Sequence, residues 1–161
     1  MALRASTAPR ALGAALGRAA IVVVVVLILD QVTKHFVRDS VPVGDSRSVF
    51  FFVHLVHVRN TGVAFNFFSG GGTLVLVFTL VALAVLLGYF LLRPSKPLLW
   101  LPTGLLIGGA IGNLIDRIGG GAVTDFIKLP HWPAFNVADI SITCGVFALL
   151  WVLEGRRRDE R

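Results

Sequence analysis

The stretch AAIVVVVVLILDQVTKHF, residues 19–36, decides the fold of this chain. Its first eleven residues are all aliphatic, and the stretch approaches the length of about 20 helical residues that crosses a hydrocarbon core. Charged Asp30 and Lys34 follow the aliphatic run, where a secretory signal would carry a small-residue cleavage site. We therefore interpret residues 19–36 as an uncleaved membrane anchor and as the first membrane span.

The composition extends this interpretation to the whole chain of 161 residues. Hydrophobic residues make up 55% of it, charged residues make up 15%, and the mean hydropathy is +0.81. A soluble domain is about one quarter charged. Three further stretches, 73–92, 98–115 and 137–153, are long and apolar enough to span a membrane. The sequence predicts an all-α membrane protein with four transmembrane helices plus a small extracytoplasmic β-sheet and a short outer loop.

The basic residues predict how these spans are oriented. The net charge is +6, and nine of the fifteen Lys and Arg lie before span one, between spans two and three, or after span four. The positive-inside rule assigns such short basic segments to the cytoplasm, so both termini are expected there. These residues form no aromatic-interleaved stripe, and we expect no nucleic-acid partner. The nine are Arg4, Arg10, Arg18, Arg93, Lys96, Arg156, Arg157, Arg158 and Arg161.

This topology divides the chain into three parts. Residues 1–18 are predicted to be a cytoplasmic tail without an apolar face wide enough for a core, and residues 154–161 are predicted to be a basic cytoplasmic tail. The four-span membrane domain covers 19–153 and includes an outer, β-rich segment at 37–72. That segment contains VFFFVHLVHVRN, whose β-branched and aromatic residues favour strands.

Two shorter patterns complete the predicted architecture. VTDFI, residues 123–127, is expected to form a brief extended piece in the second outer segment. In span three, Gly104, Gly108 and Gly112 recur every four residues and predict a smooth helix face for close packing.

Polar residues gather at the outer ends of the spans, where charges are rarely placed without partners or a function. Taken singly, each has a structural explanation: Asp30 and Lys34 form an i, i+4 pair, and Asn136 can cap span four with Asp139 in its first turn. Together around one outer pocket they predict a polar active site. The set is Asp30, Lys34, Arg59, Asn60, Asn113, Asp116, Arg117, Asn136 and Asp139.

Two aspartates in this region, Asp125 and Asp139, suggest a chemistry. If they approach each other they cannot easily both ionise, so one acid and one base coexist near neutral pH. Such a pair can activate water and protonate an amide. Serine-lysine catalysis by Ser141 and Lys34 is the alternative nucleophilic mechanism. No carboxylate or cysteine stands at ligand spacing from the histidines of the outer segment, and neither a metal nor a cofactor is expected.

Five blocks in order carry a family resemblance: DQVTK (30–34), RNTGVAF (59–65), GGAIGNLIDR (108–117), VTDFI (123–127) and FNVADISI (135–142). With these blocks on a four-span frame, the sequence resembles the lipoprotein signal peptidase, or signal peptidase II, family of bacterial membrane aspartyl proteases. The resemblance implies that Asp125 and Asp139 are the catalytic dyad. It also implies a group that shapes the pocket, orients the dyad or holds the substrate: Asp30, Lys34, Asn60, Gly108, Asn113, Arg117 and Asn136.

The resemblance further implies the substrate and the location. The substrate is a diacylglyceryl-modified prolipoprotein, cut immediately before its lipidated lipobox cysteine. The enzyme is expected in the bacterial cytoplasmic (inner) membrane, in contact with lipid, as a monomer with its active site at the outer face. The competing hypothesis is a small membrane proton or solute transporter, since membrane carboxylates also form proton relays. A relay requires polar residues toward the cytoplasmic side, and span two has no charge.

Overall fold

A computed structural model of the chain describes residues 7–61, 71–93 and 95–159. These residues form four helices and one three-stranded antiparallel sheet, as the sequence predicts. In chain order the elements are α1 (Thr7–Ser40), β1 (Ser46–Phe50), β2 (Val53–Asn60), α2 (Gly71–Leu92), α3 (Trp100–Gly120), β3 (Val123–Lys128) and α4 (Val137–Asp159).

Helix α3 lies between α1 and α4 because its glycines let both neighbours approach closely. A Cβ atom added at Gly104 would lie 2.7 Å from the Cβ of Val22, and one at Gly108 would lie 2.9 Å from the Cβ of Val26. Both valines belong to α1, which confirms the predicted packing role of these glycines. Gly109 faces α4 instead, where an added Cβ would lie 2.5 Å from the carbonyl oxygen of Ala138.

The outward surfaces of α1 and α4 are apolar. In water such a large exposed apolar surface would be unfavourable, whereas hydrocarbon accommodates it. Among the described residues, Ala11–Ser40 and Val137–Glu154 are long and apolar enough to cross a membrane, with mean hydropathies of 2.6 and 1.8. A shorter apolar stretch, Leu80–Leu92, lies in α2. Exposed large side chains include Ile21, Ile28, Val32, Phe36, Phe147 and Trp151.

The sheet has the order β1-β2-β3 and holds β3 beside the end of β2. Asp125 of β3 lies opposite Val58 of β2. On the side of the helices, Phe126 packs with Val37 and Val41 at the end of α1. The strands predicted in VFFFVHLVHVRN and the extended VTDFI piece are therefore confirmed in the described residues, and β3 is fixed against the helical part of the molecule.

Helix α1 is longer than the predicted span at both ends. The prediction that residues 1–18 carry no face for a core was wrong at Ala15, which is buried in a cluster with Ala19, Phe90 and Leu99. Small alanine side chains permit this contact, but Phe90 belongs to α2 and Leu99 directly precedes α3. The sequence around Ala15 gives no sign of these distant partners. At the other end the helix continues to Ser40, because Val37 is buried against the sheet.

Candidate active site

Asp125 is buried, and its two oxygens accept hydrogen bonds from two different elements. Only 2% of the surface of this residue is exposed. Oδ1 accepts from Nδ2 of Asn136 at 2.7 Å, and Oδ2 accepts from Nδ2 of Asn60 at 2.9 Å. Asn60 ends β2, and Asn136 directly precedes α4. The carboxylate of Asp125 is thus held where the sheet meets the helices.

Asp139 lies in the first turn of α4 and is more exposed than Asp125. Its Oδ1 accepts from Nδ2 of Asn113 at 2.8 Å, and its Oδ2 accepts from the backbone N–H of Asn136 at 3.1 Å. Oδ1 of Asn136 in turn accepts from the N–H of Asp139 at 2.9 Å. This reciprocal cap explains why the helix begins here, and the positive end of the helix dipole favours a carboxylate at this position.

Asn136 connects the two aspartates. Its side-chain amide donates to Asp125, and its backbone N–H donates to Asp139. All four oxygens of the two carboxylates therefore accept a hydrogen bond from an asparagine. The structure brings together the two residues that the sequence singled out.

The environment of Asp125 favours its protonated form. Burial raises the pKa of Asp125 from its ordinary value of 3.8 to about 6, and the negative charge of Asp139 acts in the same direction. Hydrogen bonds from Asn60 and Asn136 and the charge of Lys34 oppose this rise in the pKa. Near neutral pH the site can therefore contain one proton donor and one ionised carboxylate, the pairing needed for acid and base steps together.

A second layer of polar side chains lies behind Asp139. Oδ1 of Asn113 accepts from Nδ2 of Asn136 at 3.1 Å and from Nζ of Lys34 at 3.0 Å. Lys34 is fully buried, and a buried ammonium requires close counter-charges. Asp30 supplies one at 2.8 Å and Asp116 supplies another at 3.2 Å. The hydrogen-bonded network thus runs from α1 through α3 to α4.

Most of the predicted site residues belong to this one network. Arg117 lies beside it and donates from Nη1 to the carbonyl oxygen of Asn113 at 3.4 Å. Gly108 is not part of the network; it lies where α3 contacts α1 and allows close packing there. Of the RNTGVAF block, residues 62–65 lie outside the described part of the chain. The network members are Asp30, Lys34, Asn60, Asn113, Asp125, Asn136 and Asp139.

Two further members of the network received no role from the family resemblance, although Asp116 belongs to the predicted set of outer polar residues. Asp116 contacts Lys34, and Nε2 of Gln31 donates to Oδ2 of Asp30 at 3.0 Å and to the carbonyl oxygen of Gly112 at 3.2 Å. A signal for Asp116 was its position three residues after Asn113, which places both on one helix face. The signal for Gln31 was its place next to Asp30 in the DQVTK block. An uncharged polar side chain near the end of a predicted span is common, so that signal was weak.

The structure contradicts the serine-lysine alternative. Oγ of Ser141 donates to the carbonyl oxygen of Leu105 at 2.9 Å, whereas Lys34 is bound by Asp30, Asp116 and Asn113. Leu105 precedes Asn113 by eight residues, which is about 12 Å along a helix. Among the described contacts, the hydroxyl is bound by a backbone carbonyl and the ammonium group by other residues, so the pair that this alternative requires is not formed.

Comparisons with known proteins agree with this site. Residues 22–154 match the family model for Signal peptidase (SPase) II. A lipoprotein signal peptidase of Moorella thermoacetica is 42% identical over 130 residues, covering 80% of this chain and 87% of the relative. One of Halothermothrix orenii is 41% identical over 137 residues, covering 83% and 92%.

Two solved structures share the fold, and both are described as bacterial membrane enzymes solved by the in meso method. The structure at 1.9 Å resolution has a TM-score of 0.77 and 35% identity, covering 85% of this chain and 92% of that one. The structure at 2.3 Å has a TM-score of 0.79 and 33% identity, covering 90% and 92%. The fold and the buried polar site thus define a bacterial membrane enzyme. The chain belongs to the signal peptidase II family and is a protease of lipoprotein processing.

Proposed function

We propose that this protein is an aspartic endopeptidase with Asp125 and Asp139 as its catalytic dyad. It removes signal peptides from diacylglyceryl-modified prolipoproteins by cutting before the lipidated lipobox cysteine. The observation that carries the proposal is the meeting of the two carboxylates at Asn136 in unequal environments. Asp125 is buried and favours its proton, while Asp139 is more exposed and lies at a helix N-terminus.

In the proposed mechanism the two carboxyl groups act on one water molecule and one peptide bond. Ionised Asp139 takes a proton from the water, whose oxygen attacks the carbonyl carbon. Protonated Asp125 donates to the carbonyl oxygen and stabilises the tetrahedral intermediate. The peptide nitrogen then takes the proton from Asp139, the C–N bond breaks, and the hydroxyl formed from the carbonyl oxygen returns its proton to Asp125, which restores the starting state of the dyad. The products are the carboxyl end of the signal peptide and the free amino group of the lipidated cysteine.

The substrate class follows from the surroundings of the dyad. Ile142, one helical turn after Asp139, lines an apolar cavity of about 370 Å³ between α2, α3 and α4, together with Leu83, Leu106 and Val146. Such a cavity suits an apolar chain of the substrate, because acyl chains and signal-peptide residues both avoid water. The relatives from Moorella thermoacetica and Halothermothrix orenii carry the name lipoprotein signal peptidase, which supports the same substrate.

The orientation in the membrane follows from charge and from the position of the site. We infer that all four helices cross the membrane, with residues 1–18 and 154–161 in the cytoplasm, residues 19–153 as the catalytic domain, and the dyad at the outer face. The late part of α1, the C-terminus of α3 and the N-terminus of α4 meet at that face. The described donors to the dyad belong to a single chain, so a monomer suffices.

The transporter hypothesis is not favoured. Within the described residues, the network of buried charges lies at one end of the helices, and membership of a protease family supplies no transport role. A relay would need titratable groups along the depth of the membrane.

Cleavage of a diacylglyceryl lipobox peptide by the purified full chain tests the proposal. Asp125→Asn and Asp139→Asn should each lower kcat on the order of 10³-fold or more, because each removes an acid or base step. Asp39→Asn is a matched control, since Asp39 is exposed on α1 and contacts the exposed side chain of His35; it should retain full activity. A folded dyad variant that still cleaves would remove that residue from the mechanism.

The lipid requirement has its own test. The same peptide without the diacylglyceryl group should be cleaved far more slowly, since it cannot place acyl chains beside the helices. Equal rates for the two peptides would exclude the lipid as a determinant of recognition, while leaving the dyad untouched.

A further inference from the structure

Two buried carboxylates outside the dyad each accept a hydrogen bond from a backbone N–H group. In both cases the N–H belongs to the residue immediately before a dyad aspartate. Oδ1 of Asp30 accepts from the N–H of Ala138 at 3.0 Å, and the next residue is Asp139. Oδ2 of Asp116 accepts from the N–H of Thr124 at 3.0 Å, and the next residue is Asp125. The same arrangement thus occurs twice, once on α4 and once on β3.

Lys34 joins these two carboxylates. Its Nζ lies 2.8 Å from Oδ2 of Asp30 and 3.2 Å from Oδ2 of Asp116, and all three residues are buried. The ammonium group also donates to Asn113, which in turn donates to Asp139. Two residues of α1 and one of α3 therefore form a buried ion cluster, Asp30–Lys34–Asp116, that contacts the backbone of both elements carrying the dyad.

We propose that the Asp30–Lys34–Asp116 cluster positions the dyad by fixing the separation and orientation of its two carboxylates. The inference rests on the proposed catalytic roles of Asp125 and Asp139. These residues lie on a strand and a helix that are separated by a loop. Asn136 and the backbone hydrogen bonds between Ile127 and Phe135 link the two elements locally, and the cluster adds a link from each element to α1 or α3. Asp30 and Lys34 lie one turn apart on a continuous helix, which provides a rigid reference for both elements.

The charges of the cluster decide which variants are informative. Lys34 has two carboxylate partners, so removal of either leaves it with one counter-charge. Among the described residues, removal of Lys34 would leave Asp30 without an ion-pair partner and Asp116 with only Nη1 of Arg38 at 3.8 Å. A buried charge that loses its partner strongly destabilises a protein. Changes at Asp30 and Asp116 are therefore the better tests.

The test compares two variants that lose the same charge. Asp116→Asn keeps an oxygen that can accept from the N–H of Thr124, whereas Asp116→Leu has a similar shape and no acceptor. Asp30→Asn and Asp30→Leu repeat the comparison at the N–H of Ala138. We expect the Leu variants to lower kcat about 100-fold with KM unchanged, since a displacement of 1 Å costs about that much. The Asn variants should stay within about fivefold of the wild type.

The pH profile of kcat distinguishes positioning from a loss of folded protein. Unfolding reduces the number of active molecules, and dividing the rate by the folded fraction measured at each pH removes its effect on the profile. A changed separation of two coupled carboxylates alters their apparent pKa values and moves the limbs. Both variants at a position lose the same charge, so their difference reports the backbone contact. We expect the limbs of each Leu variant to differ from those of the matching Asn variant, and a wild-type profile in the control Asp39→Asn.

Several results would overturn the inference. Equal kcat in the Asn and Leu variants would do so, as would Leu variants whose pH limbs match those of the Asn variants at the same position. If a Leu variant does not fold, Asp116→Ser replaces it, because its shorter side chain cannot reach the N–H of Thr124, and the same loss is expected. An active Asp125→Asn or Asp139→Asn enzyme would instead refute the dyad itself, so the two failures are distinguishable.

Discussion

Asn136 performs two tasks at the residue scale. It caps α4 through its side-chain oxygen, and it donates to both dyad carboxylates. Serine is an equally good N-cap, but its side chain is too short to reach Asp125. We predict that Asn136→Ser retains most of its thermal stability and loses cleavage activity on the order of 10²-fold. Thermal unfolding and kcat measured on the same sample check this, and near-normal activity would show that the asparagine serves only as a cap.

The pKa of Asp125 predicts the alkaline limb of the activity profile. The dyad needs one proton, and Asp125 carries it, because the pKa of Asp125 is raised to about 6. As pH rises through that value the proton is lost, so kcat/KM should fall from about pH 6 upward. A profile measured from pH 4 to 9 checks the prediction, and a rate that keeps increasing to pH 9 would contradict it.

The same pKa shift links stability to pH. Since the folded protein holds this proton up to about pH 6 and the unfolded chain only up to 3.8, the folded state binds more protons in that window. The stabilisation is complete below about pH 4 and is lost as pH rises to about 6, with a magnitude of roughly 3 kcal/mol. We predict that the stability of the wild type relative to Asp125→Asn declines over this range. If the difference in stability between the wild type and Asp125→Asn does not change with pH, the raised pKa of Asp125 is contradicted.

At the scale of elements, α3 determines how closely α4 approaches the site. Gly109 touches the backbone at Ala138, next to Asp139. An alanine there must displace α4, because the nearest atom is a backbone oxygen rather than a flexible side chain. We predict that Gly109→Ala lowers stability by about 1 to 3 kcal/mol and also lowers kcat.

Gly88 offers a matched control on α2. An added Cβ at Gly88 meets no atom within 4 Å. Gly88→Ala should therefore leave activity unchanged and stabilise the helix by up to about 1 kcal/mol. If Gly109→Ala behaves like Gly88→Ala in both measurements, close packing at Gly109 does not position α4.

For the whole molecule, the proposed orientation predicts which loops a membrane-impermeant thiol reagent reaches. Ser48 is exposed on β1, and Ser95 is exposed in the connection between α2 and α3. In a Cys144→Ala background, Ser48→Cys should be labelled in intact spheroplasts, whereas Ser95→Cys should be labelled only after the membrane is permeabilised. The opposite pattern would place the active site on the cytoplasmic side.

The sequence by itself determined the apolar helices, the β-rich outer segment and the two aspartates. These depend on properties that are local to the chain: aliphatic runs, β-branched residues, glycine spacing and short ordered blocks. Asp30 and Lys34 could be paired in advance because i, i+4 residues share a helix face. The same local rules indicated that Asn136 would cap α4.

Only the tertiary structure decided which polar groups meet. Lys34 has a second counter-charge because α3 brings Asp116 to α1, and Ala15 is buried because Phe90 and Leu99 pack over it. Such contacts join residues far apart in the chain, and no local pattern encodes their distances. The hydrogen bond from the N–H of Ala138 to Asp30 joins residues that are 108 positions apart in the sequence. It exists because the glycine faces of α3 let α1 and α4 approach closely enough for a carboxylate to reach a backbone amide.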